Sequence, residues 1–330
     1  MRTLKRLLLI ISSITILLIG WFYLHIHSNI KLPTATYEFS IQPGSNLKQI
    51  SQQLANAGII PSQWTFIILA RYLNHESAIK AGDYELTGNL SQIALLDYLI
   101  KGNAKQNEIK FIEGWTFAQI RKVLNEHPAI EYKSAGLSDQ QILQHIGASE
   151  TAVEGIFFPD TYYFIKGSSD LDILQRAYKT MQNHLQNYWS ERVESLPLNT
   201  PYEALILASI IEKETGAESD RAEIAGVFIN RLRKGMKLQT DPTVIYGLGE
   251  QFDGNLRKKD LLADQEYNTY TRAGLPPTPI SLPSLASIRA ALNPAETDAL
   301  YFVAKGNGES EFSTNLADHN KAVNKYQKQQ

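Results

Sequence analysis

Two carboxylates stand at the end of an apolar run. Thr200-Pro201-Tyr202-Glu203 reads as a helix start: Thr caps, Pro suits the first helical position, and Glu three residues after the cap completes a capping box. Ala204-Leu205-Ile206-Leu207-Ala208-Ser209-Ile210-Ile211 then carries one hydroxyl and no charge, so the helix is apolar on every side and belongs at the centre of a core. Glu212-Lys213-Glu214-Thr215-Gly216 follows. At about 100° per residue, Glu214 falls between Ile210 and Leu207 and Glu212 between Ala208 and Leu205, so periodicity does not choose between them. A carboxyl held against aliphatic neighbours has its charged form disfavoured, and the negative end of the helix dipole pushes its pKa the same way. That is what a general acid working near neutral pH requires. The competing reading is two solvated carboxylates where the helix surfaces.

The residues that follow suit a cleft. Arg221–Arg233 reads as a helix packed through Ala225, Val227, Phe228 and Leu232 and ended by Gly235. Met236–Gly247 is polar, aromatic and punctuated by Pro242, which is unusual for a connector between core elements. Glu266-Tyr267-Asn268-Thr269-Tyr270-Thr271 and Gly274-Leu275-Pro276-Pro277 add amide, hydroxyl and aromatic side chains. These groups fit a neutral sugar polymer, and no Gly-rich loop with Lys-Ser/Thr offers a phosphate site. Asp241 is either a second acid or an Asx turn ahead of Pro242. The aromatic run Phe157–Phe164 reads as a buried strand or turn, with sugar stacking as its other use.

Other chemistries lack their parts. Seven scattered His without a His-Glu-x-x-His spacing point to no metal. Zero Cys excludes disulfides, thiolate catalysis and Cys-ligated metals. Asp318-His319 has no Gly-x-Ser-x-Gly nucleophile to serve and reads as a surface pair. No cofactor is expected. With 32 Lys+Arg against 34 Asp+Glu there is no electrostatic reason to expect nucleic acid as a partner.

The elements that must position these groups belong to an α+β chain of 330 residues, long enough for two globular units. From Leu7 to Ile30 there is no Asp, Glu, Lys or Arg, and Leu7–Leu24 is almost wholly apolar, just enough to cross a bilayer. Arg2, Lys5 and Arg6 precede the run, which by the positive-inside rule keeps the N-terminus cytoplasmic, and Trp21, Phe22 and Tyr23 suit the far lipid–water interface. No small-x-small site follows, so an uncleaved anchor is expected over a signal peptide. Residues 1–6 are then a cytoplasmic tail, 7–26 a transmembrane helix and 27–36, with Pro33, a linker. In 37–104 the expected order is a strand at Tyr37–Ile41, a turn at Pro43-Gly44-Ser45, a helix capped by Ser45 and stopped by Gly58, a helix at Trp64–Leu73, a strand at Gly82–Leu86 and a helix at Ser91–Ile100 closed by Gly102. This strand–helix–helix–strand unit resembles a LysM-like glycan-binding module, or is an ordinary packing domain. After a polar junction at Asn103–Asn107, residues 105–330 read as a mainly helical domain with short strands: a strand at Glu108–Ile112, helices at Phe117–Leu124, Leu137–Ile146 and Leu171–Val193, then the helix that ends in the carboxylates.

Taken together, Ala208–Thr215, Val227–Leu232, Leu238–Gly247 and Tyr267-Asn268-Thr269-Tyr270 closely resemble the endolytic murein transglycosylase (YceG-like) family, and Tyr301-Phe302-Val303-Ala304 and Phe312-Ser313-Thr314-Asn315-Leu316 fit it too. The resemblance runs from the anchor to about Tyr326 and is densest from Asn199 onward. It implies a bacterial inner-membrane enzyme, its catalytic domain periplasmic and lysozyme-like, that cuts peptidoglycan strands internally, with a peptidoglycan synthase as a possible neighbour. Related transglycosylases end the catalytic helix in Glu-Ser; Glu214-Thr215 matches that pair with Thr for Ser, which favours Glu214 over Glu212 as the catalytic acid. Gln239, Thr240, Asp241, Asn268 and Tyr270 are the implied substrate-binding set. The implied reaction protonates the β-1,4 oxygen between N-acetylmuramic acid and N-acetylglucosamine, and the muramyl C6 hydroxyl closes on C1 as a 1,6-anhydro end. An ordinary glycosidase instead needs two carboxylates, roughly 5–5.5 Å apart if retaining and 6.5–9.5 Å if inverting. A membrane-anchored glycan-binding scaffold and a two-carboxylate muramidase using Asp241 are the alternatives. The anchor implies action on nascent strands, as a terminase of glycan elongation.

Overall fold

The computed structural model describes residues 2–42, 44–88, 90–102 and 107–327. Pro43 of the expected turn, most of the polar junction and the expected boundary between 104 and 105 lie outside the described residues. The chain mixes helix and sheet and divides into two units, one of residues 1–108 with 163–168, the other of 109–162 with 169–330.

The first unit opens with α1 (Arg2–His27), whose Leu8–His27 portion is 20 residues long and apolar enough to cross a membrane. Most of α1 is exposed, but Ile26 and Ile30 are buried and Phe22 packs against the same core. Residues 27–30 are therefore tied down: Ile30 N–H donates to the Leu90 carbonyl at 2.7 Å, and Asn29 bridges Ser91. Next come β1 (Thr36–Ile41), α2 (Leu47–Asn56), α3 (Gln63–Tyr72), β2 (Gly82–Thr87) and α4 (Gln92–Lys101), in the expected order. β1 and β2 pair antiparallel, Phe39 opposite Tyr84. The cap of α2 is Asn46, not Ser45: its side chain accepts from Gln49 N at 3.0 Å while Gln49 Oε1 accepts from Asn46 N at 2.9 Å. Only position 46 has a Gln three residues on to return the bond, which decides between the two candidate caps. Gly102, at φ 73°, closes α4 in the left-handed conformation that glycine adopts without strain.

Short strands β3 (Asn107–Lys110), β4 (Ile130–Glu131), β5 (Thr161–Phe164) and β6 (Ser168–Ser169) punctuate the chain around α5 (Phe117–Glu126) and α6 (Asp139–Ile146). In the aromatic run, Phe157 is fully buried and stacks on Phe117 with centroids 5.3 Å apart, and Tyr162 is buried, whereas Tyr163 is exposed. The second unit continues with α7 (Asp170–Ser190), α8 (Pro201–Glu214) and α9 (Glu218–Arg233). All eight residues Ala204–Ile211 are buried, and α7, α9, α10 (Asp241–Leu248) and α12 (Leu285–Leu292) pack around α8. Burying each Leu or Ile contributes roughly 1.5–3 kcal/mol, so α8 is a fixed post for whatever its last turn carries. α11 (Lys258–Leu262), the antiparallel pair β7 (Tyr301–Ala304) and β8 (Ser310–Ser313), and α13 (Leu316–Tyr326) complete the unit.

Three features differ from the expectation. Met236–Gly247 is a loop only to Thr240, because Pro242 sits at the start of α10, where a missing N–H costs nothing. α12 lies in a proline-rich stretch that shows no long helical period. The Thr200 cap forms, its hydroxyl accepting from Glu203 N at 3.2 Å, but Glu203 returns its carboxylate to Asn199 N, one residue too early for a full capping box.

Candidate active site

The last turn of α8 separates the two carboxylates. Glu212 points at α12: its Oε2 accepts from Ser284 N at 2.9 Å, from the Ser284 hydroxyl at 2.5 Å and from the Ser287 hydroxyl at 2.7 Å. It sits at the N-terminus of α12, where a negative charge is favoured, and takes the N–H of the capping residue Ser284. Ser209, one turn back on α8, holds the approach to α12 by accepting from Ile280 N at 3.0 Å. Glu214 points the other way, into a cleft of about 450 Å³ lined by Arg231, Gln239, Asp241, Tyr270, Tyr301 and His319 among others. Burial pushes its pKa up to about 7, the Asp241 charge adds to that, and the Thr240 hydrogen bond and the Arg231 guanidinium oppose it. Its carboxyl is held by the Thr240 hydroxyl, which donates to Oε1. The hydroxyl of Thr215 accepts from Ala217 N at 2.9 Å, shaping the turn into α9 and leaving the carboxyl of Glu214 clear.

The loop before α10 is held from behind by hydroxyls. Gln239 N donates to the Thr269 carbonyl and Thr240 N to the Thr269 hydroxyl, both at 3.1 Å. The Thr243 hydroxyl donates to the Thr240 carbonyl at 2.8 Å and lies 2.9 Å from the Thr269 hydroxyl. Gln239 has φ +50°, a left-handed conformation that a non-glycine residue adopts at a cost of about 1–3 kcal/mol. The strain turns Gln239 onto the cleft wall, where its Oε1 is 3.5 Å from Arg231 Nη1. Thr240 is buried, so it meets Glu214 and offers a ligand almost no surface.

Asn268 is fully buried, its Nδ2 donating to the carbonyls of Asp260, Leu261 and Ala263 and its Oδ1 accepting from Tyr270 N at 2.8 Å. It has no surface for substrate and instead fixes Tyr270, whose hydroxyl donates to Asp241 Oδ1 in the cleft. The structure thus brings Glu214, Gln239, Asp241 and Tyr270 together on one cleft and places Thr240 and Asn268 behind it. Asp241 is the first residue of α10 rather than an Asx turn.

Sequence reasoning places neither Arg231 nor His319 in the cleft. Arg231 is buried, with Nε donating to the Leu300 carbonyl at 2.7 Å and Nη1 to that of Leu238 at 2.8 Å, so one guanidinium ties the Gln239 loop to β7. Its signal is a cation three and four residues after Phe228 and Val227, on the buried face of α9. The expected Asp318-His319 surface pair is divided: Asp318 bonds Lys321 at 2.8 Å outside, while His319 lines the cleft and stacks on Tyr301, centroids 5.2 Å apart. Burial and the Arg231 charge lower the His319 pKa, and its Nδ1 is buried without a hydrogen-bond partner among the described residues. Among the described residues no group of three His, Asp or Glu could hold a metal ion.

The sequence profile of the YceG-like family matches residues 39–325. An endolytic murein transglycosylase of Bacillus subtilis (strain 168) is 34% identical over 309 residues, covering 88% of this chain and 85% of the relative. A protein of the same name from Streptococcus pneumoniae (strain D39) is 29% identical over 317 residues; the match takes in 86% of this chain and 57% of the relative's length. The crystal structure of a YceG-like protein from Listeria monocytogenes aligns with a TM-score of 0.52 at 29% identity, covering 87% of this chain and 98% of that one.

Proposed function

The chain belongs to the YceG-like family, and on that premise we propose that it is an endolytic peptidoglycan lytic transglycosylase in which Glu214 is the only catalytic carboxylate. The observation that carries this reading is the placement of Glu214: last residue of a buried helix, facing a polar and aromatic cleft, its pKa near 7. A carboxyl at that pKa is protonated often enough at neutral pH to give its proton to the glycosidic oxygen, and basic enough afterwards to take one back. The donor role is to the β-1,4 oxygen between N-acetylmuramic acid and N-acetylglucosamine; the acceptor role is to the muramyl C6 hydroxyl, whose oxygen closes on C1. The bond to the leaving sugar breaks as the C6–O–C1 bond forms, no water is consumed, and the product carries a 1,6-anhydro end. Gln239, Asp241 and Tyr270 meet the strand along the cleft, and Thr240 and Asn268 hold those groups in place.

Residues 7–26 cross the membrane, with the N-terminus cytoplasmic and the catalytic domain, of lysozyme-like kind, outside the inner membrane. Residues 37–104 form the LysM-like module; the β1–α2–α3–β2 order with its antiparallel pair supports that reading. Tethered in this way, the enzyme reaches strands as they emerge, suits a terminase of glycan elongation, and would work beside a synthase.

Digestion of purified glycan strands tests the chemistry. Wild type is expected to release anhydro-muramyl ends, and Glu214→Gln to lose at least about 100-fold in rate, the usual contribution of a positioned general acid. Asp241 on the same cleft supports one second reading, a two-carboxylate muramidase, which would leave reducing ends and lose activity in Asp241→Asn as well. Absence of cleavage by wild type would leave a glycan-binding protein.

A further inference from the structure

Helix α3 buries Thr65, Phe66, Ile67, Leu69 and Ala70 on the core of the first unit. Its other face is largely apolar, with one exposed cation near its end, Arg71, paired with Glu76 at 3.3 Å. Trp64, Ile68 and Tyr72 recur every four residues and are 62%, 52% and 79% exposed. Residues four apart lie one above the other on a helix, so the three form a single apolar stripe about 12 Å long. Leaving a Trp, an Ile and a Tyr together in water is costly, and such an exposed stripe marks a contact surface.

The place of the stripe says what covers it. α1 packs on α3 and α4, and its last turns are part of the same core through Phe22 and Ile26, as is Ile30 just beyond its end. Side-chain contacts set the depth: the Thr65 hydroxyl, next to Trp64, donates to the Ser62 carbonyl at 2.9 Å and lies 3.3 Å from Gln92 Oε1, and Gln92 Nε2 donates to the His25 carbonyl of α1 at 3.3 Å. Trp64 is therefore held near the level of His25. One turn further into α1 stand the exposed Trp21, stacked on His25 with centroids 5.0 Å apart, and the exposed Tyr23. Trp and Tyr favour the headgroup layer, and an amphipathic helix at that depth lies with its apolar face among the upper acyl chains.

We infer that α3 is a second membrane contact: Trp64, Ile68 and Tyr72 enter the outer-facing leaflet of the inner membrane beside the exit of α1, so that the first unit lies on the lipid surface. This rests on α1 being an uncleaved membrane anchor. The occupant is lipid because the stripe starts where the membrane-crossing helix leaves the bilayer. Two separate contacts, a crossing helix and an interfacial one, fix the unit's orientation, which a lone crossing helix does not.

The absence of Cys makes the test direct, since any introduced Cys is the only labelling site. Full-length Ile16→Cys, Ile68→Cys and Gln52→Cys proteins are spin-labelled in nanodiscs of mixed phosphatidylethanolamine and phosphatidylglycerol. Collision with oxygen, concentrated in lipid, is then compared with collision with a water-soluble nickel chelate. The expected result is a severalfold higher oxygen-to-nickel ratio at 68 than at 52, approaching that at 16. A label at 16 in lipid with one at 68 as aqueous as at 52 overturns the inference and leaves the anchor standing. An aqueous label at 16 overturns the anchor and the inference with it. Shielding of position 68 from both reagents, with the unlabelled Ile68→Cys protein crosslinking to a second copy of itself, would put protein on the stripe and also overturn it.

Discussion

Asp241 and Thr240 act on Glu214 in opposite senses, and this is where the site is most open to experiment. The Asp241 charge disfavours a second negative charge nearby and holds the Glu214 pKa up, while the Thr240 hydrogen bond favours the ionised form and pulls it down. In the proposed mechanism Glu214 acts in its protonated form, so activity is expected to fall as pH rises past about 7. Asp241→Asn is expected to move that alkaline limb to lower pH, and Thr240→Val to move it to higher pH while lowering kcat, because the carboxyl is no longer held. The pH dependence of kcat/KM measured for both variants checks the pair; shifts of the same sign in both would refute the assignment. His319, kept uncharged by burial and the Arg231 guanidinium, can meet a neutral sugar from the wall of the same cleft without adding to its charge.

At the scale of the elements, α8 and α12 depend on each other through Glu212. Three donors from the first turn of α12 converge on one carboxylate oxygen, and a hydrogen bond to a charged group is worth about 1.5–3 kcal/mol. Glu212→Gln keeps an acceptor but loses the charge, and is expected to lower stability by about 1–3 kcal/mol with kcat/KM within a few-fold of wild type. Thermal melting beside the glycan digestion separates this from Glu214→Gln, for which the opposite pattern is expected. If Glu212→Gln abolished cleavage while melting normally, the two carboxylates would have exchanged roles. The same contact explains why α12 is hard to read from the sequence. Its stretch is crowded with Pro276, Pro277, Pro279, Pro283 and Pro294, and what starts the helix is partly a carboxylate 72 residues away.

Across the second unit as a whole, a buried acid links its early and late segments. Glu154 accepts from Phe117 N at 3.0 Å, at the start of α5, and from the Tyr246 hydroxyl at 3.1 Å, on α10. Burial pushes its pKa up to about 7 against those hydrogen bonds. With its folded value raised above the unfolded one, Glu154 favours the folded state most below about pH 4.5, and that contribution is lost as pH rises through about 7. The loss amounts to roughly 3 kcal/mol, at about 1.4 kcal/mol per pKa unit. Glu154→Gln offers the same acceptor and donor shape without a titration, so its melting temperature should be flatter than that of wild type between about pH 5 and 8 and higher at the alkaline end. A wild-type curve that rises with pH over this range would contradict the assignment.

What could be read from the chain alone is local or periodic. The uncharged stretch at the start, the Thr200-Pro201 entry to α8, the burial of α8 on all sides and the βααβ order of the first unit depend on neighbours within a few residues, where spacing and propensity act directly. The choice between Glu212 and Glu214 needs more. Both lie at the end of one helix and periodicity treats them alike; the family resemblance favours Glu214, and the tertiary structure gives the two carboxylates different surroundings. One carboxylate meets Ser284 and Ser287, the other Thr240, and these partners lie 26 to 75 residues along the chain. Arg231 and His319 reach the cleft for the same reason: a folded chain brings residues together over separations that no sequence interval encodes, so the electrostatics of a site are settled only once its helices have packed.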